Sequence, residues 1–131
     1  MTLAFLGEVP ERAFDDLVAG LRAVAHRAGP LAATLGPSTV RLGRSVLCVP
    51  VSGLDPLAEA VRAAVLGRST DLPFRGHLTL ARARAGRSVP AALLSRPLMA
   101  SWQVRAFSLV SSVTASSGPH YEDLVRFTLA G

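Results

Sequence analysis

Apolar residues recur at spacings of three and four through Phe14, Leu17, Val18, Leu21, Val24, Ala25 and Ala28, which is one face of an amphipathic helix. Residues 8–11 open that helix, with Pro10 near its first position and acids in the first turn, and Gly29 and Pro30 end it. Ahead of it, residues 2–6 read as a strand. Behind it, residues 31–35 read as extended, and residues 39–42 and 46–51 as a hairpin around Gly43 and Arg44. Asp55 and Pro56 start a second helix as cap and first residue. Its buried face is Leu57, Ala60, Val61, Ala64 and Val65, and Gly67 lies near its end. The chain breaks at Leu72 and Pro73 into an extended run over 75–84. Val89 and Pro90 then lead into a short helix through Leu94, stopped near Pro97. A long strand over 102–113, a Ser-Gly-Pro turn and a last strand over 121–129 complete the chain.

Strands outnumber helices and hairpins join several of them, so the pattern predicts an α+β fold with antiparallel sheet. There is an internal echo: Thr2-Leu3-Ala4 returns as Thr79-Leu80-Ala81, and Val9-Pro10 as Val89-Pro90, each leading towards a helix. Two such half-units predict a pseudo-twofold molecule with a groove between lobes. At 131 residues with no low-complexity linker, residues 1–131 are expected to form a single domain of two interleaved lobes.

Composition narrows the classes. Half of the residues are hydrophobic and 18% charged, which excludes a disordered or acidic tail. The longest purely apolar stretches, 46–51 and 89–94, are far short of the ~20 residues a membrane-spanning helix needs. No basic residue precedes the short apolar segment 3–6, which therefore does not read as a signal peptide. The single cysteine, Cys48, can form neither an internal disulfide nor a metal cluster, so a reducing cytoplasm is the expected location. All 14 basic residues are arginine, and lysine, asparagine and isoleucine are absent, as a GC-rich bacterial genome would produce. The net charge of +5 nevertheless gathers anionic partners, phosphates first among them.

The segment His77-Leu78-Thr79-Leu80 is the main chemical candidate. On a strand, His77 and Thr79 share one face, with Arg75 on the same parity, while Leu78 and Leu80 turn to the core. An imidazole that exchanges protons near neutrality, beside a hydroxyl and a guanidinium, suits a phosphate. A half-exposed strand with an incidental histidine is the plainer alternative. Arg82 has the opposite parity, so simple alternation aims it away. Phe5 and Phe74 either stack on a base or pack in the core, and Tyr121 either lines a groove or sits at a strand end. His26 falls off the apolar stripe, His120 reads as a loop residue, and Cys48 as a small buried hydrophobe. Ser111, Ser112, Ser116 and Ser117 read as turn chemistry.

Taken together, these segments resemble the LigT-like 2H phosphoesterases, a family of RNA 2′,3′-cyclic phosphodiesterases also called 2′-5′ RNA ligases. Its members carry two His-x-Thr-x motifs, the first commonly continuing as Thr-Leu-x-Phe-Leu-Gly and the second often preceded by Pro-Phe-Arg. Here the first motif's tail is Thr2-Leu3-Ala4-Phe5-Leu6-Gly7, and the second reads Pro73-Phe74-Arg75-Gly76-His77-Leu78-Thr79-Leu80. Ser112-Val113 followed by Gly118-Pro119-His120-Tyr121 is similar to the family's C-terminal pattern. The resemblance implies a bilobal fold with the two motifs facing each other across a basic groove. It implies that His77 is the proton acceptor that activates water, and that Thr79 holds the phosphate. Thr2, Arg75, Arg82, Phe5 and Tyr121 would contact an RNA or nucleotide with a 2′,3′-cyclic phosphate end. It implies no metal and no nucleotide cofactor.

The first motif's histidine would precede Met1, and by the family pattern so would a first strand and helix. The chain is therefore expected to be N-terminally truncated within that motif and impaired in turnover. A monomer is expected, with dimerisation open to it through an exposed sheet edge. Two other readings are a catalytically silent RNA- or nucleotide-binding domain and a purely structural α+β domain.

Overall fold

In the computed structural model, residues 1–66, 73–116 and 118–130 are described; the expectations at Gly67, Leu72 and Ser117 lie outside them. After an irregular segment, a 3-10 turn at Glu11–Ala13 runs into α1 (Phe14–Arg27), followed by β1 (Leu31–Leu35), β2 (Val40–Leu42) and β3 (Val46–Ser52). Then come α2 (Asp55–Leu66), β4 (His77–Arg82), a 3-10 turn at Ala91–Leu93, β5 (Ala100–Val104), β6 (Ala106–Ala115) and β7 (Gly118–Thr128).

All pairings between these strands are antiparallel. Five strands form one sheet with β3 at its centre. One edge of β3 pairs with β4, the other with β2 and then β1, and β1 pairs in turn with β5. The long hairpin β6–β7 forms a second, two-stranded sheet. The helices pack on the hairpin: Leu21, Val24 and Ala25 of α1 meet Leu57 and Val61 of α2 and Phe127 of β7. The rings of Phe107 and Phe127 stack across that hairpin at 5.1 Å. Gly20 of α1 faces Ala64 of α2, where a β-carbon would make only ordinary van der Waals contact, at 3.9 Å from the Ala64 β-carbon. A second cluster, Ala33, Leu35, Val49, Val51 and Leu54, belongs to the five-stranded sheet. Leu3, Leu31 and Val104 pack against both clusters and join the two halves.

Several boundaries differ from the sequence pattern. Residues 2–6 form no strand: Leu3 and Ala4 are held by apolar packing alone, while Phe5 is 83% exposed. The expected single strand over 102–113 is two strands in different sheets, broken at Arg105, whose carbonyl accepts from the Leu129 amide. The short helix before Pro97 is one 3-10 turn, after which Ser95 takes a positive φ. In α2 the buried stripe begins at Leu54 and runs through Leu57, Ala58 and Val61, which leaves Ala60 and Ala64 exposed. His120 lies in β7 and Ser111 and Ser112 in β6, rather than in turns.

Candidate active site

The site begins with a glycine. Gly76 immediately precedes β4, and a β-carbon there would collide with the Val51 carbonyl and press on the Phe74 ring at 3.1 Å. Without one, the Gly76 carbonyl accepts from the Val51 amide at 2.8 Å, and β4 closes onto β3. Phe74 packs against the cluster beneath, so the core role holds for it. The next residue, His77, stands opposite Pro50, and Thr79 opposite Cys48.

His77 Nδ1 lies 2.8 Å from the Arg75 carbonyl oxygen. A carbonyl only accepts, so Nδ1 carries the hydrogen and donates it. In the neutral ring Nε2 then bears the free lone pair. The ring is half-buried, and Thr79 is exposed beside it on the same face of the strand. Arg75 itself is exposed, and its backbone orients the imidazole.

Alternation along β4 does not continue to Arg82. The register with β3 shifts between Leu47 and Cys48, so that Cys48 pairs with Thr79 but Leu47 with Ala81 and Val46 with Arg82. Leu80 is therefore an extra, bulged residue, and a bulge reverses the facing of everything beyond it. Val46, Cys48 and Pro50 alternate onto one face of β3, so Arg82 shares the face of His77 and Thr79. Simple parity aimed it away; the bulge brings it back. The same irregularity corrects the expectation that Leu78 and Leu80 are core residues. β4 is an edge strand, and they are 40% and 45% exposed.

The hairpin uses the same device. Leu109 pairs with Val125 but Val110 with Asp123, so Leu124 is extra, and Tyr121 stands opposite Ser112. By sequence parity Tyr121 would lie with Val125 and Phe127 against the helices. The bulge turns it to the other face, with Ser108 and Arg126, where it is 71% exposed. Ser112 and Tyr121, nine positions apart in the sequence, are thus cross-strand partners. Thr2 is exposed in the irregular N-terminal segment, as is Phe5, whose ring takes no part in the core.

Sequence reasoning missed two features. The first is a row of hydroxyls on the His77 face: Ser52 pairs with Thr34 and Thr34 with Ser101, and the Thr34 and Ser101 hydroxyls lie 3.2 Å apart. The second is where the negative charge lies. Residues 27–54 and 73–121 contain no aspartate or glutamate, although most of the arginines fall there. Strands β1 to β5 are consequently free of carboxylates. This was countable in the sequence, but its meaning appears only once those segments form one sheet. Among the described residues, no group of three or more His, Cys, Asp or Glu is arranged to hold a metal ion, and no helix is long and apolar enough to cross a membrane. Burial raises the thiol pKa of Cys48.

Two antiparallel sheets, with an oriented imidazole on the carboxylate-free one, make a fold of the phosphoesterase class, and solved structures of that class superpose on it. TT0787 of Thermus thermophilus matches with a TM-score of 0.78 and 34% identity, over 99% of this chain and 77% of that one. The apo form of Escherichia coli LigT matches with a TM-score of 0.79 and 27% identity, over 99% and 75%. LigT complexed with 3′-AMP gives 0.77 and 30%, over the same shares. By sequence, the chain is 33% identical over 150 aligned positions to the RNA 2′,3′-cyclic phosphodiesterase of Thermus thermophilus, covering all of this chain and 72% of that protein. No family model matches the sequence. The chain belongs to the LigT-like 2H phosphoesterase family.

Proposed function

We propose that this protein hydrolyses 2′,3′-cyclic phosphate ends of RNA to 2′-phosphomonoesters, with His77 as the proton acceptor. The observation that carries this reading is the hydrogen bond from His77 Nδ1 to the Arg75 carbonyl, which leaves Nε2 as the base on an exposed, cation-flanked face. Support comes from the relative of 33% identity, named an RNA 2′,3′-cyclic phosphodiesterase. In the proposed step, Nε2 takes a proton from water as the water oxygen attacks phosphorus. The bond from phosphorus to the 3′ oxygen breaks and the 2′ ester remains. The 3′ oxygen is protonated by water or by a group that the family pattern places ahead of Thr2. Thr79 donates a hydrogen bond to a non-bridging oxygen, and Arg82 supplies positive charge as charge builds on it. Thr2, Arg75, Phe5 and Tyr121 are assigned to substrate contact, the two aromatic rings by stacking. The reverse of the same step joins ends by a 2′-5′ bond.

One strand supplies His77, Thr79 and Arg82, so a monomer suffices, and none of the proposed roles calls on a metal or a cofactor. The test is hydrolysis of a 2′,3′-cyclic mononucleotide by the wild-type chain and by His77→Ala. Product formation in the first and its loss in the second supports the reading. RNA binding with no turnover in either would replace it with a silent binding domain.

A further inference from the structure

The face that carries His77 extends well past the reacting group. From β4 it crosses Pro50 and Ser52 on β3, Ala32 and Thr34 on β1, and Ser101 and Gln103 on β5. Thr34, Ser52, Ser101 and Gln103 are all exposed. The opposite face of these strands holds Ala33, Leu35, Val49 and Val51, so the polar face is the outward one. The Ser52 hydroxyl also lies 3.4 Å from the Thr34 carbonyl, beside the Thr34–Ser101 pair. From β4 to β5 is three strand spacings, roughly 14 Å at ~4.8 Å each. An oligonucleotide held by its end at His77 is long enough to span that distance.

We infer that the row Ser52–Thr34–Ser101, with Gln103 beside it, is a subsite for the RNA chain on the 5′ side of the cyclic end. This rests on the reading of His77 given above. A 2′,3′-cyclic phosphate is a 3′ terminus, so whatever lies beyond it is 5′ chain. Serine and threonine hydroxyls donate to phosphate oxygens and exchange hydrogen bonds with ribose 2′-hydroxyls. No carboxylate on strands β1 to β5 repels a polyanion there. A row of neutral donors would tolerate any base sequence, since it meets backbone and sugar. A concavity lined by Arg22, His26 and Arg126 supports less: His26 lies in the last turn of α1, where a cation balances the helix dipole.

The experiment pairs two substrates with two variants. Thr34→Val/Ser101→Ala removes the hydroxyls with little change of shape, and Thr34→Ser/Ser101→Thr keeps them. A fluorescein-labelled pentanucleotide with a 2′,3′-cyclic end is followed by anisotropy, and hydrolysis of a 2′,3′-cyclic mononucleotide is followed alongside; thermal melts confirm folding. The first variant is expected to bind the pentanucleotide several-fold more weakly while its mononucleotide turnover stays unchanged, and the second to restore binding. Unchanged pentanucleotide binding, or equal losses with both substrates, overturns the subsite. Absence of mononucleotide turnover in the wild type, with pentanucleotide binding still dependent on the row, overturns the catalytic reading and leaves the subsite standing.

Discussion

A single hydrogen bond decides how His77 can act. With Nδ1–H committed to the Arg75 carbonyl, only Nε2 is left to accept a proton, and under the proposed function His77→Ala is expected to lower hydrolysis by roughly 10²–10⁴-fold. Thr79→Val keeps the strand's shape but removes the hydroxyl, so turnover should fall with little change in the thermal melt. Cys48 gives a contrasting case. Burial raises its thiol pKa, so the folded chain holds the neutral form. The stability this contributes is complete below the unfolded thiol's pKa and is lost as pH rises through the raised folded value. The thiol should therefore resist alkylation at neutral pH until the chain unfolds, and chemical denaturation followed by labelling should show both transitions together. His77 and Thr79 were legible in the sequence because they lie two residues apart on one strand. Thr34, Ser52 and Ser101 were not, since they are neighbours only through pairing across three strands.

The elements show where periodicity stops being informative. Both helices were legible because their apolar stripes repeat over several turns. Leu57, at the contact of α2 with α1 and β7, is almost fully buried, and Leu57→Ala should cost about 2–5 kcal/mol in a urea melt. The two bulges were hidden, because one extra residue leaves no mark in composition. Yet they decide where Arg82 and Tyr121 face. Deleting Leu80 should leave a regular ladder in which Arg82 keeps its pairing opposite Val46 and its face, so RNA binding should survive; its loss would show that the bulge does more than aim the side chain. The break at Arg105 was equally silent, since apolar and polar residues alternate on both sides of it. The N-terminal segment misled for a different reason: Leu3 and Ala4 pack against the core, but among the described residues no strand pairs with it.

Across the whole molecule, charge and topology act together. Among the described residues, the acids lie on the helices, on the segment leading into α1 and midway along β7, while arginine is the only acidic or basic residue type besides His77 on the five-stranded sheet. RNA affinity should therefore fall as salt rises. Arg82→Gln should reduce the slope of log affinity against log salt by about 1, whereas the Thr34/Ser101 variant should weaken binding without changing the slope. The most direct measurement is the product formed from an RNA oligonucleotide ending in a 2′,3′-cyclic phosphate, resolved by chromatography for the wild-type chain and His77→Ala. The proposed reaction predicts a 2′-phosphate end from the wild type and unreacted cyclic end from the variant. A 3′-phosphate end would contradict the proposed cleavage of the bond to the 3′ oxygen, and the same 2′ product at the same rate from both proteins would contradict the role of His77 as the base.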